Sequence, residues 1–320
     1  MIKGHRLPLK IFKHVAMQAN MLQAFVFHKP PRFSKVIALS IIGFVSCNLL
    51  LGCYTPRYVY SPAAHNVPVL TQKNDSKIAL NYSSNISGSI NEDSKGVPAC
   101  SNGFDLQAAH AISNKFAFQV NYFTRSETNG GNYSSFRDSS TIRYKRNLIE
   151  IGAGYYSRLQ PGGNLFFQVF AGVGFGNFKF SDNSKDINQQ LYSRFHQSGI
   201  TKFYIQPAIQ YNDKKLVVAS LSSRFTLINF GNVETDYSPQ EQSNYKLDDL
   251  LGKPVFFWEP AFINSFGFKK IPGFSLEYQF GLSLLLNRRF IDARAFNFSA
   301  GLLFDLPLMF KKKPIAKEQN

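Results

Sequence analysis

The amino-acid sequence predicts an all-β protein: a transmembrane, antiparallel, up-and-down β-barrel of about ten strands (about eight or twelve are the alternatives), with an N-terminal signal helix. Three observations support this prediction. Hydrophobic residues make up 44% of the 320 residues and aromatic residues 15%, yet the mean hydropathy is −0.17, so apolar and polar residues are finely interleaved. Strictly alternating segments fill the chain beyond residue 76, and the connections between them alternate in length.

The first part of the chain has the pattern of an export signal. Residues 36–51 form a continuous run of apolar or small residues, and Lys29, Arg32 and Lys35 precede it. A positively charged segment followed by an apolar one of this length is typical of a bacterial signal peptide. We therefore assign residues 1–52 to a leader, with an uncleaved anchor helix as the alternative.

The leader ends in four residues, Leu50, Leu51, Gly52 and Cys53, that resemble the bacterial lipobox. This resemblance implies that the lipoprotein signal peptidase recognises Leu50, Leu51 and Gly52, that it cleaves before Cys53, and that Cys53 then carries a lipid such as palmitate. Residues 53–76 contain three prolines and no period, which predicts an extended tether. In some lipoproteins with such a lipobox, an acidic cluster just after the cysteine directs the protein to the cell surface. No acidic residue lies between Cys53 and Asp75, so the resemblance implies a lipid in the leaflet that faces the periplasm.

Residues 77–306 are assigned to the barrel because neighbouring side chains there alternate in polarity. In the third strand Phe116, Phe118 and Val120 alternate with Ala117 and Gln119. Such alternation is what a wall between lipid and a polar lumen requires. The other predicted strands lie at about 77–84, 103–112, 140–157, 164–180, 190–211, 215–230, 254–266, 275–284 and 296–305.

The connections predict how the barrel is oriented. Long ones are expected at about 85–102, 126–139, 181–189 and 231–253, with shorter ones between them. Outer-membrane barrels have long loops outside the cell and short turns in the periplasm, so both chain ends, including the basic tail 307–320, are expected in the periplasm. A soluble β-sandwich or barrel with an apolar core is the alternative, although a Greek-key sandwich does not require connections of alternating length.

Two stretches, GFDLQAAHAISNKFAFQVNYF (103–123) and AFNFSAGLLFDL (295–306), together with the lipobox and the tether, resemble uncharacterised outer-membrane β-barrel lipoproteins of Bacteroidetes. The resemblance covers about residues 50–306. It implies a location in the outer membrane, contact with membrane lipid and lipopolysaccharide, and assembly by the barrel-insertion machinery. It carries no catalytic residues.

The charge and the cysteines exclude several classes of function. The net charge is +16, but residues 1–52 hold seven Lys and Arg with no Asp or Glu, so the charge does not indicate a nucleic-acid-binding face. The three cysteines form no metal-binding or disulfide pattern. We therefore predict no cofactor, no metal and no nucleic-acid partner.

Few residues are candidates for chemistry. His110 with Ser113 and His196 with Ser198 are the only nearby His–Ser pairs, and neither has an orienting carboxylate beside it. We therefore predict that the protein is not an enzyme; a lipid-modifying outer-membrane enzyme is the least favoured alternative. The charged residues assigned to the lumen are Glu150, Glu259, Glu277, Asp305, Arg143 and Lys179.

The function that the sequence favours is a structural, surface-interaction or adhesion-like role, carried by extracellular loops that bind an unidentified surface ligand. A small pore or transport component is the alternative. A barrel of about ten strands is close to the size at which side chains fill the interior, which disfavours an open channel.

Overall fold

The computed structural model describes residues 57–87, 99–132, 139–185, 190–213, 216–287 and 289–310. Ten antiparallel strands form a closed barrel, which confirms the predicted fold class. The last strand, β13 (Phe296–Asp305), pairs with β2 (Ser76–Ile86) on one side and with β10 (Ile271–Leu282) on the other. Because β10 also pairs with β9 (Val255–Phe268), the sheet closes on itself. The ten strands are β2 (Ser76–Ile86), β3 (Cys100–Ala111), β4 (Phe116–Asn132), β5 (Ser139–Arg158), β6 (Leu165–Lys185), β7 (Leu191–Asp213), β8 (Val217–Thr235), β9 (Val255–Phe268), β10 (Ile271–Leu282) and β13 (Phe296–Asp305).

Five short elements complete the described structure. β1 (Val59–Tyr60) pairs in parallel with β12 (Asp292–Ala293), and β11 (Leu284–Leu285) pairs with β9. Helix α1 (Pro239–Asn244) lies between β8 and β9, and helix α2 (Leu306–Met309) follows β13. No helix in the described residues has the length and apolar character needed to span a membrane.

Side chains along the long strands alternate between the outside and the inside of the barrel. In β4, Phe118 is 53% exposed and Val120 48%, whereas Gln119 between them is 2% exposed. The outward apolar side chains form a band that we call the apolar belt, and lipid contact requires such a band. Its larger members are Leu80, Tyr82, Phe104, Leu106, Phe116, Phe118, Val120, Tyr122, Ile149, Ile151, Leu165, Phe175, Phe203, Ile205, Ile209, Leu221, Phe225, Phe256, Phe262, Phe266, Leu276, Phe280, Phe296, Phe298 and Leu302.

The two ends of the barrel differ in how far the strands run beyond the apolar belt. At one end, the short-turn end, the connections are 112–115, 159–164, 214–216 and 269–270. At the other, the extended end, β4 to β8 continue past the belt, so that most of the predicted loops 126–139 and 181–189 belong to strands. In β6, for example, the belt ends at Phe175 but the strand continues to Lys185. The connections 236–254 and 283–295 are also at the extended end.

Candidate functional site: the filled lumen

Residues 57–70, which belong to the predicted tether (53–76) in the periplasm, instead lie inside the barrel, and Gln72, Lys73 and Asn74 are exposed beyond it. Every residue from Tyr58 to Leu70 is buried, although only Val59 and Tyr60 are in a strand. Irregular backbone is tolerated in such a place only if its polar groups find hydrogen-bond partners. Side chains of the barrel wall supply those partners, and for this reason the segment lies in the lumen and not in the periplasm. We call residues 57–70 the lumen segment.

The lumen segment enters the barrel at the extended end and leaves it at the short-turn end. Arg57 lies 3.1 Å from Asp182, close to the end of β6. Leu70 packs against Phe170, close to the beginning of the same strand. The chain then turns and begins β2 at Ser76. It therefore crosses the barrel once through the lumen before it crosses again as part of the wall.

An aromatic cluster closes the extended end around the first residues of the lumen segment. Tyr58 stacks on Phe178 with 5.2 Å between the ring centroids, and its hydroxyl lies 2.8 Å from Nε2 of His196. Tyr60 stacks on Phe257 at 4.2 Å. The connections of the extended end contribute buried side chains to the same cluster, namely Tyr237, Leu247, Leu250 and Ile291.

Side chains of the wall bind the backbone of the lumen segment directly. Nε2 of Gln279 donates to the carbonyl of His65 at 2.8 Å, and Oε1 of the same side chain accepts from the His65 amide at 2.9 Å. Gln206 donates to the carbonyl of Asn66 at 2.8 Å. These amide side chains make the backbone hydrogen bonds that a neighbouring strand would make in a sheet. Further bonds to backbone carbonyls run from Arg146 to Val59, from Arg224 to Ala63 and from Gln107 to Ala64.

Buried ion pairs surround the segment and bind it as well. Nε of Arg224 lies 2.6 Å from Oε2 of Glu259, and a second nitrogen of Arg224 donates to the carbonyl of Ala63 at 2.7 Å. The other carboxylate oxygen of Glu259 accepts a 2.6 Å bond from the hydroxyl of Tyr60. A buried charge is tolerated when it is paired and hydrogen-bonded, so these contacts fix the segment in one position. Further buried pairs in the described residues are Lys202–Glu150, Arg125–Asp105, Arg146–Glu127, Arg294–Glu127 and Lys77–Asp305.

Inward-facing glycines of β5 and β6 make room for a tyrosine of β7. A Cβ atom on Gly172 would lie 2.6 Å from the hydroxyl oxygen of Tyr204, and a Cβ on Gly152 would lie 2.4 Å from it. That hydroxyl accepts a 2.8 Å bond from Gln119. The glycines on the inner face therefore reflect a crowded lumen.

Little empty space remains beside the lumen segment. A cavity of about 20 Å³, enough for one water molecule, lies next to residues 62–65. A larger cavity of about 230 Å³ lies at the short-turn end, where the ion-paired Lys77 and Asp305 form part of its lining. The lumen segment thus fills the barrel rather than lining an open channel.

The predicted lumen charges are partly correct. Four of them are buried on the inner face, as predicted: Glu150, Glu259, Glu277 and Asp305. The prediction is wrong for Arg143 and Lys179, which are exposed on the outer face of β5 and β6. Arg143 is an odd number of residues from Glu150, so in a regular strand the two side chains point to opposite faces.

Sequence analysis missed the cations that neutralise the lumen carboxylates: Arg125, Arg146, Lys202, Arg224 and Arg294. A signal was available for Arg146, because it is four residues from Glu150 and alternation places the two on one face. Arg125 lies where β4 continues into a segment that was predicted to become a loop. Arg294 lies between β12 and β13 and has no strand period to reveal it.

The predicted His–Ser pairs do not form bonded pairs. His110 is exposed on the outer face and lies 2.7 Å from the hydroxyl of Ser76, whereas Ser113 accepts backbone amides within its own turn. His196 and Ser198 are both buried, but the imidazole hydrogen-bonds to the lumen segment and the hydroxyl donates to backbone carbonyls. In the part of the chain that the structure describes, no group of His, Cys, Asp or Glu side chains is suited to hold a metal.

Several predicted residues lie outside the described ranges. These are the leader 1–52 with Leu50, Leu51 and Gly52, the lipidation candidate Cys53, and residues 311–320 of the basic tail. The described start of the predicted tail is α2, which Asp305 caps by accepting from the Leu308 amide. Cys100 is the first residue of β3, and its Sγ lies 3.1 Å from the hydroxyl of Ser84.

No protein-family model and no curated protein sequence matches the chain. Among solved structures, the translocator domain of the autotransporter NalP from Neisseria meningitidis aligns with 92% of this chain and 97% of its own, at 10% identity and a TM-score of 0.43. The outer membrane protease OmpT from Escherichia coli aligns with 75% of this chain and 99% of its own, at 9% identity and a TM-score of 0.39. The attachment invasion locus protein Ail of Yersinia pestis aligns with 51% of this chain and 92% of its own, at 16% identity and a TM-score of 0.29.

The architecture of the protein defines its class. An even number of antiparallel strands, full closure, an apolar outer belt and a polar interior are together the properties of barrels that span the bacterial outer membrane. The protein is a transmembrane β-barrel of the outer-membrane type, and its lumen is filled by residues of its own chain.

Proposed function

We propose that the protein is a closed outer-membrane barrel that acts at the cell surface, in a structural or adhesion-like role, and does not conduct solutes in its resting state. The observation that carries this proposal is the burial of residues 58–70 in the lumen. Conduction requires a continuous hydrated path, whereas ion pairs and amide side chains here bind a polypeptide along that path. A small pore, the second candidate, would require the lumen segment to leave.

The proposed orientation places the extended end outside the cell and the short-turn end in the periplasm. Outer-membrane barrels have short periplasmic turns and longer extracellular connections. The extended end carries the projecting parts of β4 to β8 and the two longest described connections, 236–254 and 283–295. Interactions with a surface ligand would therefore take place there.

The connection 236–254 is the part of the extended end best suited to contact a ligand. Its helix α1 begins with a capping box, in which Ser238 and Glu241 bind each other's backbone amides. Tyr237, Leu247 and Leu250 anchor the connection in the aromatic cluster, so its exposed residues are already ordered. Ordering before binding lowers the entropic cost of association.

Planar-bilayer recording of the purified barrel tests the closed state. We expect no stable conductance from the folded protein, and a steady open conductance would contradict the proposal. For the surface role, substitutions at exposed positions of α1, such as Gln240→Lys with Asn244→Lys, should change cell-surface interactions without affecting assembly. Deleting the whole connection is less informative, because it would uncover the aromatic cluster.

A separate observation supports lipopolysaccharide as a partner of the outer face. Lys145 of β5 lies directly opposite Lys179 of β6, and Arg143 precedes Lys145 by two residues on the same face of β5. Like charges directly opposite each other destabilise a sheet unless an anion neutralises them. None of the three forms an ion pair with a described carboxylate. They lie just beyond the belt residues of the same two strands, at the level where the phosphates of outer-leaflet glycolipid would lie.

The double substitution Lys145→Gln with Lys179→Gln tests this partner. Losing one or two charge-assisted contacts, worth about 1.5–3 kcal/mol each, should weaken lipopolysaccharide binding about tenfold or more. Lys269→Gln with Lys270→Gln, at exposed positions of a short turn, is the matched control and should bind normally. Equal binding by both double variants, or equal binding of dephosphorylated glycolipid, would contradict the proposal.

Lipidation of Cys53 is also part of the proposed function, and the lipobox resemblance supports it. Radiolabelled palmitate should be incorporated into the wild-type protein and not into a Cys53→Ala variant. Labelling of the variant to the same extent would show that the lipid is attached elsewhere.

A further inference from the structure

We infer that the lumen segment leaves the barrel on the outside of the cell, so that its N-terminal end at Arg57 lies at the cell surface. The inference rests on the proposed orientation of the barrel, with its extended end outside. It concerns the path of the lumen segment, and it replaces the expectation of a lipid in the periplasm-facing leaflet.

The order of contacts along β7 gives the direction of the segment. β7 runs from the extended end to the short-turn end, and the lumen segment contacts it in the same order as the chain runs. The successive contacts are Tyr58 with His196, Asn66 with Gln206, and Val67 with Gln210. The segment therefore crosses the lumen once, without doubling back, and its N-terminal end lies at the extended end.

Contacts at the extended end hold the point of exit in place. Arg57 lies 3.1 Å from Asp182, and its guanidinium lies 4.6 Å from the ring centroid of Tyr245. Although burial acts to lower it, the pKa of Arg57 is raised because Asp182 stabilises its charge. The backbone amide of Asp292 donates to the carbonyl of Tyr58 at 2.9 Å. The connections 236–254 and 283–295 thus both bind the first described residues.

The length of chain before Arg57 limits where Cys53 can be. Cys53 precedes Arg57 by four residues, and four residues span at most about 14 Å when fully extended. The hydrocarbon layer alone is about 30 Å thick. Asp182, beside Arg57, is also seven residues beyond the last belt residue of β6, Phe175. While the lumen segment is docked, a lipid on Cys53 cannot be in the periplasm-facing leaflet.

Labelling of intact cells with a membrane-impermeant maleimide tests the inference on the full-length protein. The reporter is Thr55→Cys in a Cys100→Ser background. Gln240→Cys on α1 is the control for the proposed outer side, and Asn114→Cys in a short turn is the control for the periplasmic side. The background protein without an added cysteine reports whether the Cys53 thiol is free, which separates failure of lipidation from failure of the inference.

The expected result is labelling of Thr55→Cys in intact cells, to the extent seen for Gln240→Cys, with Asn114→Cys labelled only after the outer membrane is permeabilised. Labelling of Thr55→Cys only after permeabilisation would overturn the inference. So would mass spectrometry showing that residue 55 is absent from the mature chain. If Gln240→Cys and Asn114→Cys exchange their behaviour, the proposed orientation itself is wrong, and the inference fails with it.

Discussion

The two hydrogen bonds between Gln279 and the backbone of His65 allow a sharp test of how the lumen segment is held. In Gln279→Leu, the amide and the carbonyl of His65 lose partners at 2.9 and 2.8 Å. Each buried backbone group left without a partner costs about 1–3 kcal/mol, so docking of the segment should weaken by about 2–6 kcal/mol before the structure relaxes. Even the lower value corresponds to a roughly 30-fold larger undocked fraction.

Hydrogen exchange of the Ala64 amide, which donates to Asp105 and is not itself altered, reports this undocking. The matched control is Gln168→Leu. Gln168 is likewise buried on the inner face, but its side-chain amide hydrogen-bonds to no described group, so its replacement should leave exchange unchanged or slower. Equal protection of Ala64 in the two variants would refute the reasoning that wall amides hold the segment.

Three further predictions follow from the same structure. Arg224→Met leaves the buried charge of Glu259 without its cation, so it should destabilise the barrel by about 3–5 kcal/mol, measured by denaturant unfolding in detergent. Adding Glu259→Met should recover most of the lost stability, and a double variant as unstable as Arg224→Met would contradict this explanation. Because a hydrogen bond from the Ser238 backbone lowers the pKa of Glu241, α1 should be most stable above the ordinary carboxyl pKa and should lose protection from hydrogen exchange as the pH falls through the lowered value. This dependence should disappear in Glu241→Gln, whose side chain does not titrate. Gly172→Ala should cost about 1–3 kcal/mol in the same unfolding assay, because its Cβ would overlap the hydroxyl of Tyr204, and wild-type stability would show that the lumen is less crowded than described.

Alternation of side chains was enough to predict the wall of the barrel. The side chains of Phe118 and Val120 point outward and that of Gln119 points inward, as a period of two predicts. Lipid selects apolar side chains on the outer face, and the lumen selects polar ones on the inner face. The same rule would have corrected Arg143 and recovered Arg146, since each has a fixed parity relative to Glu150. Strand ends were less predictable, because residues beyond the belt face water on the outside and lose their apolar signal.

The path of the lumen segment could not be predicted from the sequence. Its prolines and lack of period are equally compatible with a free tether, because the features that hold it lie elsewhere in the chain. From the sequence, Gln279 and Gln206 are ordinary polar residues of the lumen. Only the structure shows that they donate hydrogen bonds to the carbonyls of His65 and Asn66. A segment that is bound through its backbone needs no particular side chains, since carbonyl and amide groups occur at nearly every position. The sequence of the lumen segment therefore gives little indication that it is bound.

The central claim is that residues 57–70 fill the barrel from within, and a disulfide cross-link tests it most directly. Val67 belongs to the same buried cluster as Ala208, which lies on the inner face of β7, whereas Ala153 is exposed on the outer face of β5. In a Cys100→Ser background, Val67→Cys with Ala208→Cys should cross-link in assembled outer membranes under mild oxidation, and Val67→Cys with Ala153→Cys should not. Absence of the first cross-link in correctly assembled barrels, or equal yields from both pairs, would contradict the account.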